Sequence, residues 1–282
     1  MHLLNLDVVA GALVGNLMVR YLLQTPAYSV MSFYVLGSTV FIIYTADRLW
    51  DVRRTKIIST DLVRMTPRHR FHYEHQPLLW GLISLLTIVT GWLALSFLPL
   101  PVFRFGLELA LLVVLYLGFV HLMGSLAHIP SRYLFHKEPL VAILYTAGIW
   151  GSVLVIKHPV ALVDWVLCLV FGWVAFQNLL LFSLFDMEND LCKNESSLAT
   201  YWGTALTQRV LNWLFIVIIL VSGAVLLVYA QNARQREVAS TEALMSITLF
   251  ILGYFPTYFR QGERYRWLGD GIFFIPLLIV DC

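Results

Sequence analysis

Residues 160–190, VALVDWVLCLVFGWVAFQNLLLFSLFDMEND, decide the fold class. Between Val160 and Phe185 the only charged side chain is Asp164. The apolar residues run on without the period-two alternation of a barrel strand. Crossing a bilayer core takes about 20 apolar helical residues, so this stretch is long enough to span. It then stops at Asp186-Met187-Glu188-Asn189-Asp190. The reading is a membrane helix whose end carries two aspartates four residues apart.

Eight further stretches read as spans of the same kind. The nine candidates are about residues 8–24, 28–46, 78–98, 103–122, 139–156, 160–185, 207–230, 242–259 and 267–281. The composition agrees: 59% of the 282 residues are hydrophobic and 13% are charged, and the mean hydropathy is +0.77. A soluble domain carries about a quarter charged residues. A soluble globular enzyme, a disordered chain and a nucleic-acid-binding domain are therefore excluded. Only three cysteines are present, which excludes a disulfide scaffold, and Cys168, Cys192 and Cys282 lack metal or redox spacing. The N-terminal residues MHLLNLDVVAG have neither a basic n-region nor a small-residue cleavage site, so the first helix is expected to be retained. The expected architecture is all-α, one intramembrane domain over 1–282, a bundle of about nine transmembrane helices around a central cavity.

The loops divide by charge. Those after spans 2, 4, 6 and 8 hold fourteen of the 19 lysines and arginines: seven from Arg48 to Arg70, then Arg132, Lys137, Lys193, Arg209, Arg260, Arg264 and Arg266. The other five are Arg20, Arg104, Lys157, Arg234 and Arg236. The positive-inside rule then predicts that the richer set and the N-terminus are cytoplasmic. An odd number of crossings places Cys282 on the opposite side.

Within the basic loops stand two acidic pairs, Asp47 with Asp51 after span 2 and Asp186 with Asp190 after span 6. In a continuing helix, residues i and i+4 share a face. Two like charges there repel, and a divalent cation reverses the sign of that interaction. Carboxylate oxygens suit Mg²⁺, which binds one or two carboxylates and completes its shell with water and phosphate oxygens. The competing reading is that these acids only solvate two helix ends.

Other groups on the same predicted side suit an anionic ligand. Tyr133 and Lys137 form Y-x-x-x-K, and Lys193 follows the second pair by about one turn. The segment Thr66–His75 supplies Arg68 and His69, and an arginine fork matches phosphate. His69, His72 and His75 recur every three residues, which suits either a transition metal or a basic helix lying against lipid headgroups. Inside the spans, Asn16, Gln177 and Asn178 are expected either to line a cavity or to bond between helices.

The arrangement resembles the UbiA-like intramembrane prenyltransferase superfamily, with nine helices and acidic motifs after helices 2 and 6. Asp47-x-x-x-Asp51 resembles the latter half of N-D-x-x-D-x-x-x-D, whose first two positions here are Ile43 and Tyr44. Asp186 to Asp190, Lys193 and Ser196-Ser197-Leu198 resemble the second motif and its tail, with Ser183 where a leading acid sometimes stands. Tyr133 and Lys137 match the element between helices 4 and 5. The TPRHRFH stretch lies outside the usual signature, so a divergent member is expected.

The resemblance implies Mg²⁺ held by Asp47, Asp51, Asp186 and Asp190. It implies a prenyl diphosphate donor met by Lys137, Lys193, Tyr133, Arg68 and His69, and transfer to a lipophilic, typically aromatic acceptor within the bilayer. Asn16 and Asn178 are further substrate-binding candidates. Rival readings are a prenyl-diphosphate cyclase or hydrolase, a non-catalytic lipid-binding or scaffold protein of the same fold, and a transporter. No pair of Gly/Pro-interrupted helices at matching positions in two halves supports the transporter.

Overall fold

The computed structural model describes residues 6–25, 30–58, 67–125, 137–157, 159–193 and 197–280. Among them every regular element is helical. The helices are α1 (Leu6–Leu23), α2 (Val30–Ile58), α3 (Pro67–Glu74), α4 (Gln76–Phe97), α5 (Leu100–Ser125) and α6 (Lys137–Thr146). They continue as α7 (Ser152–Leu154), α8 (Leu162–Lys193), α9 (Leu198–Ala224), α10 (Ala233–Tyr254), α11 (Pro256–Arg260) and α12 (Arg264–Gly271). A π turn over Ala147–Gly151 joins α6 to α7, and another over Val225–Tyr229 extends α9. A 3₁₀ tail, Ile272–Leu278, follows α12.

Six of the described helices are long and apolar enough to cross a membrane: α1, α2, α4, α5, α8 and α9 with its π turn. A seventh candidate is the pair Ala233–Tyr254 and Pro256–Leu278, bent by 91°. The protein is a multi-pass integral membrane protein. Its large exposed side chains, Leu78, Ile88, Leu95 and Leu220 among them, are those of a lipid-facing surface. Hydropathy predicts nine spans, and the described helices give six or seven: the fifth expected span is interrupted by the π turn, and the sharp bend between Tyr254 and Pro256 falls inside the eighth.

The chain packs as two compact units, Met1–Leu13 with Ala27–Arg104, and Val14–Pro26 with Phe105–Cys282. In the first, Leu49 of α2 and Leu79 and Ile83 of α4 form a core against Phe41, Ala46, Phe71 and Trp80. Thr45, Leu49 and Val52 are buried, marking one face of α2. In the second unit α8 is the central helix, packed by α6, α9, α10 and α12. Its 32 residues reach about 48 Å at 1.5 Å per residue, well beyond a ~30 Å hydrocarbon core. The helix can therefore carry Asp186 and Asp190 past the apolar layer without a break.

Polar pairs fix the register of α8 and α10. Asn232 caps α10 by accepting the Gln235 backbone N–H at 3.0 Å. The Gln235 amide then donates to Asp164 at 2.8 Å, and Ser246 donates to Gln177 at 2.8 Å. Buried polar groups in lipid must be satisfied within the protein, and these bonds do so between two helices that run in the same direction.

Candidate functional site at the end of α8

The second acidic pair lies in the last two turns of α8, which stays helical to Lys193. The shared face expected of positions 186 and 190 is therefore realised in the backbone. One face of α8 carries Asn178, Phe182, Phe185 and Asp186, and α12 covers it. Gly269 makes that approach possible: a Cβ there would stand 2.4 Å from the Phe182 ring and 2.8 Å from the Asn178 amide oxygen. Tyr265 stacks on Phe185 at 4.5 Å between ring centroids and meets Phe182 edge-on at 5.7 Å.

This packing delivers two donors to Asp186. The Tyr265 phenol donates to Oδ1 at 2.5 Å, and Arg266 Nη2 donates to Oδ2 at 2.6 Å. Arg266 Nε also donates to the Tyr265 oxygen at 3.1 Å, closing a triangle of contacts. The Arg266 and Asp186 side chains are 25% and 18% exposed, so solvent screens this pair far less than a surface one. Beside it, Arg260 bonds Glu188 at 3.1 Å and lies over the Phe185 ring at 5.9 Å.

The remaining predicted residues are distributed as follows. Asp190 is half-buried, and Lys137 is exposed at the first position of α6. Lys193 closes α8, with its side chain outside the described residues, as are those of Asp51, Arg68 and His69. Tyr133 lies wholly outside them. On α2 the helix continues through both acids to Ile58. At 100° per residue, positions 47 and 51 fall on the side of α2 away from the packed Thr45, Leu49 and Val52. The two acidic pairs thus belong to different units, one to each.

Asn16 bonds between helices: its amide donates to the Ile149 carbonyl at 2.9 Å and to Ser152 Oγ at 3.0 Å, and its oxygen accepts from Arg20 at 2.8 Å. The buried Asn178 oxygen, beside Gly269, has no hydrogen-bond partner among the described residues. Gln177 lines a cavity of about 250 Å³ with Gln208, Asn212 and Tyr254. In α3 His72 is buried, while His75, between α3 and α4, is exposed and stacked on Phe71 at 4.5 Å.

Sequence reading did not single out Tyr265 or Arg266; Arg266 counted only as one more basic loop residue. Nor did it foresee that Ser183 would accept the Ala199 backbone N–H at 3.1 Å. No local signal marks either contact, since each depends on how another helix, α9 or α12, packs back against α8.

The donor chemistry can be compared with what a hard divalent cation needs. Among the described residues no three His, Cys, Asp or Glu side chains converge on a point. Mg²⁺ takes one or two carboxylates and completes its shell with water and phosphate oxygens, so an aspartate pair one turn apart fits that demand without a third protein ligand. At Asp186 the Arg266 guanidinium on Oδ2 competes with a cation for the carboxylate's charge.

No protein-family model matches the chain, and no curated protein matches it in sequence. Its structure is similar to a solved structure of a digeranylgeranylglyceryl phosphate synthase in membranes, with a TM-score of 0.56 and 14% identity over 99% of this chain and 92% of that one. The likeness runs the length of both chains and shows a shared all-helical membrane fold.

Proposed function

We propose that the protein is a Mg²⁺-dependent intramembrane prenyltransferase, moving a polyisoprenoid group from a prenyl diphosphate to a hydrophobic, aromatic acceptor. The observation that carries this reading is the end-to-end fold likeness to a synthase working in membranes. It is supported by the two aspartate pairs, each on a helix that runs unbroken through it.

On this reading each pair would hold Mg²⁺, Asp47 with Asp51 on α2 and Asp186 with Asp190 on α8. The bound cation supplies Lewis-acid stabilisation of charge on the departing diphosphate. Lys137, Lys193 and Arg68 donate to the diphosphate oxygens and, with Tyr133 and His69, orient the donor. The allylic C–O bond breaks with its electron pair on the diphosphate. The acceptor carbon closes the new bond and loses its proton. The apolar helices keep water from the allylic cation. The same chemistry places the prenyl tail in lipid and the diphosphate at the cytoplasmic mouth, in one intramembrane domain.

The test is diphosphate release by purified protein given Mg²⁺ and prenyl diphosphates of several lengths, with and without phenolic or quinone-precursor acceptors. Release that requires Mg²⁺ and is abolished by Asp47→Ala and by Asp190→Ala is the expected result. No release and no Mg²⁺-dependent donor binding in any arm refutes the enzymatic reading. One observation favours the non-catalytic lipid-binding alternative: Asp186 already carries a full counter-charge in Arg266. Donor release without an acceptor would favour the cyclase or hydrolase variant.

A further inference from the structure

We propose that Arg266 is an exchangeable counter-ion of Asp186: a divalent cation and a diphosphate open this ion pair together, the cation taking the aspartate and the diphosphate taking the guanidinium. The inference rests on the reading of α8's acidic pair as a cation site and adds how that site is regulated.

Both Asp186 oxygens are engaged, Oδ1 by Tyr265 and Oδ2 by Arg266. Each oxygen keeps a second lone pair, but a guanidinium 2.6 Å from Oδ2 already balances the carboxylate's charge and repels a dication, so a cation binds Asp186 well only when Arg266 moves off. Displacement alone is unfavourable. It leaves a partly buried guanidinium with the largely exposed Glu263 at 3.8 Å, a weaker partner than Asp186, and weakening the pairing of a buried charge is costly. A diphosphate removes that cost, since its oxygens suit the arginine fork. Each ligand thus creates the condition for the other, which makes their binding free energies coupled and reciprocal.

The surroundings decide which donor moves. Tyr265 is held between Phe185 and Phe182, and α12 is seated through Gly269. The backbone and phenol stay in place, and Tyr265 acts as a positioning residue that keeps Asp186 aimed. Arg266 has the longer side chain and no such ring packing against α8, so it is the partner that exchanges.

The experiment uses full-length protein in phosphatidylcholine nanodiscs, with Mn²⁺ as the cation and electron paramagnetic resonance separating bound from free metal. Inorganic diphosphate is added in a second series, and empty discs correct for its own chelation. In the unaltered protein, Mn²⁺ alone binds weakly and diphosphate tightens it about tenfold or more. In Arg266→Gln, Mn²⁺ alone binds about tenfold tighter than in the unaltered protein, and diphosphate adds little. Adding Asp186→Asn removes that gain. Tyr265→Phe, which keeps Arg266, covers the case in which Arg266→Gln does not fold; it gives a smaller tightening in the same direction.

Equal Mn²⁺ affinity in the unaltered, Arg266→Gln and Tyr265→Phe proteins overturns the exchange and leaves the cation site standing. So does diphosphate coupling that persists undiminished in Arg266→Gln. Absence of Mn²⁺ binding in every protein, with and without diphosphate, overturns the cation-site reading and the exchange with it.

Discussion

The carboxylate of Glu138, near the start of α6, accepts the backbone N–H of Leu198 at 2.8 Å, tying that end of α6 to the first turn of α9. The next two amides of α9 are also satisfied, Ala199 by Ser183 and Thr200 by the Ser197 hydroxyl. A helix leaves its first N–H groups without intrahelical partners, and here three other side chains supply them. Two of these, Glu138 and Ser183, come from α6 and from the turn of α8 just before Asp186. The geometry around the acidic pair therefore depends on this junction.

Glu138→Ala is expected to cost about 1–2 kcal/mol, the usual range for a lost cap or a buried amide left unpaired. Glu138→Gln keeps an acceptor oxygen and loses less. Thermal unfolding in detergent, followed by tryptophan fluorescence, checks the order: unaltered, then Gln, then Ala. An Ala variant that melts with the unaltered protein removes the junction from the account.

Gly269→Ala tests the seat of α12 on α8. The added Cβ would fall 2.4 Å from a Phe182 ring atom, well inside contact distance. Overpacking of this kind costs about 1–3 kcal/mol. It also pushes α12 outward and strains the Arg266 contact. The expected result is a lower melting temperature together with tighter Mn²⁺ binding in the absence of diphosphate. Lower stability with unchanged Mn²⁺ affinity would separate the seat from the ion pair.

The long apolar helices were legible because hydropathy reports burial in lipid directly: α2, α4, α5 and α8 fall where the runs of Leu, Val, Ile and Phe predict them. The start of α10 was not. Its first ten residues, from Ala233 to Glu242, include Arg234, Gln235, Arg236 and Glu237, and hydropathy places the span only from about residue 242. Those polar residues are tolerated because specific partners exist, as Asp164 does for Gln235. The site divides in the same way. The aspartate spacing along α8 is local and therefore readable. The Asp186 bond to Arg266 joins residues 80 apart, and nothing in the run Arg260 to Arg266 tells which arginine will meet it.

Asn16 separates a packing role from a substrate role. Asn16→Leu removes two donations to the π-turn region and the acceptor for Arg20. Interhelical polar contacts in membrane proteins contribute about 0.6–2 kcal/mol each. A fall in melting temperature with an unchanged KM for the prenyl diphosphate is expected from the observed bonds. A raised KM at unchanged melting temperature would assign Asn16 to the donor instead.

The last segment determines how many times the chain crosses the bilayer. α12 begins level with the end of α8, where Arg266 meets Asp186. By Phe273 the chain has reached Phe171, at 6.0 Å between ring centroids. Phe171 lies 15 residues before Asp186 in α8, which is about 22 Å along the helix. The 15 residues of α12 and its 3₁₀ tail advance the backbone by about 26 Å, close to a ~30 Å core. A complete crossing by this tail predicts three crossings between Cys192, exposed near the end of α8, and Cys282. A Cys168→Ser protein with only one of these two cysteines retained should label with an impermeant maleimide from one face of sealed vesicles, and the other single-cysteine protein from the opposite face. The basic-loop asymmetry predicts that the Cys192 face is the cytoplasmic one. Labelling of both from one face would mean that the chain turns back after Pro256, reducing the bent pair to a single excursion.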